Sequence, residues 1–342
     1  MTDGKNLHRF ALLTAVATFF LIIAGGLVTS TQSGLSVPDW PLSYGQVMPP
    51  MVGGILYEHG HRMVATLIGF LTTILAVWLW KKESRKWVRN LGAIALCAVI
   101  AQGVLGGLTV LFLLPTPISV SHATLAQTFF SIVASIALFT SDWWKSDQPL
   151  LEEASSRPRF ITLAILTTAA IYIQLILGAL MRHMYSGLAV PDFPLAYGQL
   201  FPSLSPEAIG RYNDFLAQND YRIFADDPIT GSQVLVHMIH RAWACVVAVM
   251  VVWTSFRLTK VAGSSKRLSR FAYALIALLC VQISLGAFTV LSRKSVGITT
   301  AHVATGALLL MTSVLMTLSA FKLYGVRLQR VSVTLRAGEV TA

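Results

Sequence analysis

Charge is what this sequence has least of. Only 12% of its 342 residues are Asp, Glu, Lys or Arg, about half the share usual in a soluble domain, and just 15 are acidic. Such a chain cannot clothe a water-facing surface, and with 55% hydrophobic residues it is predicted to be a polytopic membrane protein. Cysteine is also scarce. Cys97, Cys245 and Cys280 all fall inside apolar runs, which excludes a disulfide between outward loops and a CxxCH haem-attachment motif.

What is present in abundance is long apolar segments. Runs near the 20 residues needed to cross a bilayer are read at 10–30, 59–80, 90–112, 118–140, 159–181, 234–257, 270–291 and 298–321. The first follows Lys5 and Arg9 like a signal peptide but is longer than the usual h-region, and is read as an uncleaved span. The formal net charge of +11 would point to nucleic acid in a soluble protein. Here most of the 26 Lys and Arg fall on one side of an eight-span arrangement: Lys5 and Arg9, the run Lys81 to Arg89, the 141–159 connection, Arg257 to Arg270, and the tail from Lys322 to Arg336. The positive-inside rule places both termini in the cytoplasm. The charge therefore reports topology, and no nucleic-acid partner is expected.

The chain repeats itself. Val37-Pro38-Asp39-Trp40-Pro41-Leu42-Ser43-Tyr44-Gly45-Gln46 returns 153 residues later as Val190-Pro191-Asp192-Phe193-Pro194-Leu195-Ala196-Tyr197-Gly198-Gln199. Its prolines and glycine forbid a continuous helix and favour a fixed turn; a loop of inherited shape and a lid over a bound group are both open. Gln102 to Val110 returns as Gln282 to Val290, with small residues that suit close helix packing or room for a flat macrocycle. The offset grows because the second half carries an insertion at about 203–232. There Pro206-Glu207 marks a helix start, and Ala208, Ile209, Tyr212, Phe215 and Leu216 share one face of a short amphipathic helix predicted to lie on the outer surface. Four spans per unit is an even number, so the units should share orientation about an axis along the membrane normal. The expected fold is all-α, eight transmembrane helices in two tandem four-helix-bundle repeats, 1–150 and 151–342.

Histidines punctuate this repeat. Glu58-His59-Gly60-His61-Arg62 is matched by His237-Met238-Ile239-His240-Arg241, and His122 by His302; 61 residues separate His61 from His122 and 62 separate His240 from His302. An ionisable residue in a span is a functional candidate by default. All four imidazoles are expected about one turn inside the outer surface. Imidazole ligates haem iron singly or in pairs, whereas zinc usually takes a third His or a carboxylate. One bis-histidine haem per half follows, with polar contact between helices as the alternative. His59 sits on another helical face and is read as a bystander. Arg62 and Arg241 either snorkel or bind haem propionates. Three residues before the first histidine of each half, Glu58 faces His237 as its counterpart, on the same helical face as the histidine. A carboxylate there can accept a proton or hold a water, or simply pair with Arg62; His237 would stand behind the metal ligand.

Eight spans in two repeats, Glu58-x-x-His61-Arg62, His122, His240-Arg241, His302 and the paired Pro-Asp-x-Pro loops together resemble the haem A synthase family across nearly the whole chain. The resemblance implies oxidation of the C8 methyl of haem O to a formyl group by successive hydroxylations, giving haem A for terminal oxidases. It implies that His240 and His302 are axial ligands of a resident haem B, that His61 and His122 flank the substrate haem O, and that Glu58 is the catalytic carboxylate. It further implies a bacterial cytoplasmic membrane, haem sites near its outer face, and a haem O synthase and oxidase-assembly proteins as partners beside membrane lipid. Small residues on helix surfaces would permit a homo-oligomer. Some members carry a cysteine pair in the first outward loop, and 30–57 has none. A di-haem b-type electron carrier and a haem or ion transporter are the competing readings.

Overall fold

Apolar segments with no charge to interrupt them fold as helices, because a backbone without water must satisfy every amide internally. The computed structural model describes residues 2–147, 157–221, 228–261 and 265–324. Among them are ten α-helices and no strand: α1 (Thr2–Ser30), α2 (Gly53–Lys82), α3 (Lys86–Leu111), α4 (Thr116–Thr140), α5 (Asp142–Lys145), α6 (Arg157–His183), α7 (Pro206–Gln218), α8 (Gly231–Val261), α9 (Lys266–Leu291) and α10 (Val296–Tyr324). Eight of these are long and apolar enough to cross a bilayer, and the chain is an integral membrane protein. Each begins or ends a few residues outside the apolar run read from the sequence, because basic and polar flanks continue the helix beyond hydrocarbon depth.

Helices α1 to α4 form one bundle, with α1 against α2 and α4, and α3 against α2 and α4; α6, α8, α9 and α10 form the other by the same rule. The bundles meet through α1 on α10, α4 on α6 and α4 on α10. Exchanging α1 with α6, α2 with α8, α3 with α9 and α4 with α10 leaves this set of neighbours unchanged. A two-fold relation between tandem units has that property. Each bundle buries its own apolar core, around Ile68, Leu75, Leu79 and Ile136 in the first and Ile171, Leu258, Leu275 and Leu310 in the second. Ile22, Phe130 and Ala307 fill the seam between them. Helices α4 and α10 are consequently the most buried spans. The residues where the sequence divides the halves, about 150, lie outside the described residues.

The two Pro-Asp-x-Pro loops fold alike. Both contain a cis proline, at Trp40–Pro41 and Phe193–Pro194, and both place a tyrosine in the left-handed region, Tyr44 at φ 53° and Tyr197 at φ 52°, followed by a glycine with positive φ. A bulky residue there is unfavourable unless its surroundings hold it. The Asp39 carboxylate accepts from Tyr44 N (2.6 Å) and Gly45 N (2.8 Å), and Tyr44 Oη donates to Ser36 O (2.7 Å). Asp192, Tyr197, Gly198 and Ala189 repeat that scheme. These two amide donors hold the Asp39 carboxyl below its usual range.

The insertion forms α7 as expected, and the helix docks on the second loop. Ser205 caps it, its Oγ accepting from Ala208 N. Ala208, Tyr212 and Leu216 are buried against Ala189, Val190 and Ala196 of the second loop, while Phe215 stays exposed. The Tyr197 and Tyr212 rings stack at 3.8 Å. Burial, with the Asp192 charge nearby, pushes the Tyr197 phenol above its ordinary range.

Two outcomes are expected from hydrogen exchange. Tyr212→Ala should raise amide exchange across 206–218 about tenfold or more, since a buried aromatic contributes about 1.5–3 kcal/mol. Because Asp39 is depressed, the order of the first loop is complete at neutral pH. Protection of Tyr44 and Gly45, corrected for intrinsic rate, should fall only as the pH drops below the usual aspartate value of about 4; Asp39→Asn should remove that pH dependence.

Candidate functional site

All four histidines of the repeat lie at the end of the bundles that carries the loops, six to nine residues into α2, α4, α8 and α10, or roughly two turns. The helices start ahead of their apolar runs, so this count runs from the helix start. His61 and His122 lie within electrostatic reach of each other, as do His240 and His302. The structure thus brings the predicted pairs together, one per bundle.

Each imidazole rests on a glycine of a neighbouring helix. A Cβ at Gly25 of α1 would stand 3.1 Å from His61 Cε1, and one at Gly178 of α6 would stand 3.1 Å from His240 Cε1. A Cβ at Gly106 of α3 would stand 3.4 Å from His122 Cε1, and one at Gly286 of α9 would stand 3.1 Å from His302 Cε1. Gly25 corresponds to Gly178 and Gly106 to Gly286 in the repeat, so the four seats form two matched sets. The small residues of α3 and α9 therefore admit side chains from the adjacent helix. Gly107 does the same for the first loop: its Cβ would fall 2.6 Å from the Trp40 ring.

The rings are poorly placed as polar contacts between helices. Nδ1 of His61, His122 and His302 is buried without a hydrogen-bond partner. The Gln174 amide reaches both ring nitrogens of His240 only at 3.3 Å, and the Gln282 amide meets His302 Nε2 at 3.5 Å. Gln102 and Gln174 spend their better bonds on the carbonyls of His122 and His240. Orphaned buried nitrogens at matched positions call for another ligand, and two imidazoles from two helices fit the axial positions of a haem iron. Among the described residues no group of three or more His, Cys, Asp or Glu side chains is assembled, so a three-ligand zinc site of the usual kind has no counterpart in the geometry.

Around this matched frame the halves differ. Glu58, only 4% exposed, accepts from Arg62 Nη2 through Oε1 (2.7 Å) and from Val37 N through Oε2 (2.8 Å). The pairing with Arg62 foreseen as an alternative is thus present. His237 at the equivalent position is also buried, and its Nδ1 meets Ser186 O at 2.9 Å. His59 is buried and bound to Ser43 Oγ (2.7 Å); facing away from the paired histidines, it anchors the first loop. The second half has Met238 and Ala196 there, an apolar pair in place of a polar one.

Arg62 and Arg241 are tied to the loops. Arg62 donates to the carbonyls of Val37, Asp39 and Leu42, and Arg241 to those of Val190, Asp192 and Leu195. Gln174, Gly178 and the seating role of Gly25 escape a reading of the sequence. A glutamine in an apolar span was the available signal for Gln174; a glycine's partner across a helix interface leaves none.

The sequence is similar over most of its length to known proteins. Residues 8–54 and 53–314 match the family COX15-CtaA, cytochrome oxidase assembly protein. A Heme A synthase of Halalkalibacterium halodurans is 32% identical over 208 residues, covering 59% of this chain and 67% of the relative. One from Shouchella clausii is 34% identical over 213 residues, or 60% and 69% of the two chains. A longer match, to the Heme A synthase of Rhizorhabdus wittichii, is 27% identical over 343 residues, 89% of this chain and 91% of the relative. With nearly its whole length matched and its histidines paired in each bundle, the chain belongs to the COX15-CtaA family of cytochrome oxidase assembly proteins.

Proposed function

We propose that this membrane protein is a haem A synthase: it oxidises the C8 methyl of haem O to a formyl group by successive hydroxylations, the hydrated aldehyde then losing water. The half comprising 1–150 receives haem O between His61 and His122, and the half comprising 151–342 holds a resident haem B between His240 and His302. A haem so held supplies one-electron chemistry. The observation that carries this division is the substitution of Glu58 by His237 in an otherwise matched frame of seated histidines and clamped loops. Only the first half offers a carboxylate at that position.

In this reading His61 and His122 orient the substrate, their rings fixed by Gly25 and Gly106. Glu58 stands on the same helical face as His61, one turn away. Its Oε1 and Oε2 already accept hydrogen bonds from Arg62 and Val37, so the group is oriented and its remaining lone pairs are those of a proton acceptor. The first loop, held to α2 by Arg62 and laid on Gly107 by Trp40, covers the α3 turn that seats His122 and limits water there. In the second half, His237 gives Nδ1 to the Ser186 carbonyl and puts no carboxylate at this position, which suits a half that carries electrons. The distribution of basic residues supports both termini in the cytoplasm and the histidine pairs near the outer face, and the bacterial relatives support a bacterial cytoplasmic membrane. A haem O synthase upstream and oxidase-assembly proteins downstream are the partners this role requires.

Two measurements test the reading. Glu58→Gln keeps the size and an acceptor oxygen but lacks the charge; in cells making haem O it should lower haem A by more than about tenfold, within the range typical of a lost acid–base group, while the purified protein keeps its haem. Unchanged haem A would take the catalytic role from Glu58, and no haem A from the unaltered chain would favour the di-haem electron carrier. Separately, His240→Ala should abolish the resident Soret absorbance while His61→Ala leaves it, and Gly178→Val, which drives a side chain into the His240 ring, should reduce it several-fold. Equal loss in His61→Ala and His240→Ala would show that the labour is not divided as assigned.

A further inference from the structure

Two cations at the seam between the bundles have no part in the function described above. Arg182, at the end of α6, donates from Nη2 to Gly26 O (3.0 Å) and Ser30 Oγ (2.9 Å) of α1. It lies within electrostatic reach of His302. Lys294 is half-buried in the turn from α9 to α10, with its stem over Gly187. Burial, and then the Arg182 charge, hold its ammonium below the ordinary lysine range. Among the described residues neither forms an ion pair with a carboxylate; the pairs present are Arg62–Glu58 and Arg85–Glu83.

The other half shows that these charges are not needed to build the fold. Lys294 sits in a two-residue left-handed turn, Arg293 at φ 54° and Lys294 at φ 65°; the first half makes the same turn with Leu113 and Leu114, both at φ 59°. Leu114 packs over Gly34 as Lys294 packs over Gly187. By the 153-residue offset, Thr29 occupies the place of Arg182. One half thus builds this corner from Thr and Leu, and the other from Arg and Lys. Two neighbouring cations removed from water without an anion cost free energy on both counts, desolvation and mutual repulsion. The missing element is an anion. Arg241 gives three hydrogen bonds to the second loop, and Arg293 lies over the Tyr221 ring at 4.3 Å.

Resting on the haem reading above, we propose that Arg182 and Lys294 form an anion site at the seam, which takes the propionate carboxylates of the haem held between His240 and His302. A guanidinium and an ammonium are the donors that recognise carboxylate, and His302, which Arg182 reaches electrostatically, is a ligand of that haem in this reading. The anion also neutralises the seam, so filling the second half tightens the contact of α6 with α1 through Gly26 and Ser30.

The test uses the full chain carrying His61→Ala, so that the second pair alone is titrated, and two probes: haem B and its dimethyl ester, whose carboxylates are blocked. The acid should bind about tenfold or more tightly than the ester, the scale of a charge-assisted hydrogen bond. Arg182→Thr and Lys294→Leu, each importing the residue the first half uses, should each remove most of that preference while changing ester affinity less than about threefold. Ester binding serves as the check that the variants fold. Preference that persists in both variants, or is absent from the parent, overturns the proposal. So does loss of co-purifying phospholipid phosphorus from the variants with the haem preference intact, since the anion is then a lipid phosphate. A parent that binds neither probe is a separate failure, that of the haem reading itself.

Discussion

Everything at the loop end of this protein depends on one contact, an imidazole laid against a glycine of the next helix. Removing a side chain from α1, α3, α6 and α9 at one point each lets a ring enter where two helices would otherwise pack flank to flank. The contact fixes the ring without a hydrogen bond. That matters in an apolar bundle, where a nitrogen satisfied by a neighbour would be unavailable to a metal and one left orphaned is costly. Seating by shape keeps the nitrogens free and the ring still.

The loops complete the frame from outside. Asp39 and Asp192 fold the loops on themselves by gathering two amides, and Arg62 and Arg241 tie them to α2 and α8 through three carbonyls each. This arginine stands directly after the histidine in sequence, so the same helical turn positions the ring and the loop. In the first half the arginine also holds Glu58, which links the carboxylate, the loop and the histidine in a single network. In the second the carboxylate is gone, α7 buttresses the loop instead, and the polar Ser43–His59 pair is replaced by Ala196 and Met238. The two halves thus present like frames and differ in the residues set around the paired rings.

How far the sequence could be read follows from the range of the interactions. Span number, the repeat, the four histidines and the Glu58/His237 asymmetry depend on composition and on spacing along one helix, and all were legible. The capped helix in the insertion was legible too, as its face is written in Ala208, Tyr212 and Leu216. Its docking on the second loop was not, because the partner residues are remote in the chain. Arg62 and Arg241 left two readings open for the same reason: a guanidinium at a helix head looks alike whether it meets water, a ligand or a loop.

By itself, then, the sequence determined an all-helical membrane protein of two tandem units with a pair of imidazoles in each, because hydrophobic length and helical periodicity are local properties. Only the tertiary structure decided what each glycine is for, which carbonyls the arginines hold, and that Arg182 and Lys294 stand together at the seam with no carboxylate partner among the described residues. Those facts arise where helices from distant parts of the chain meet, and no spacing within one helix encodes them.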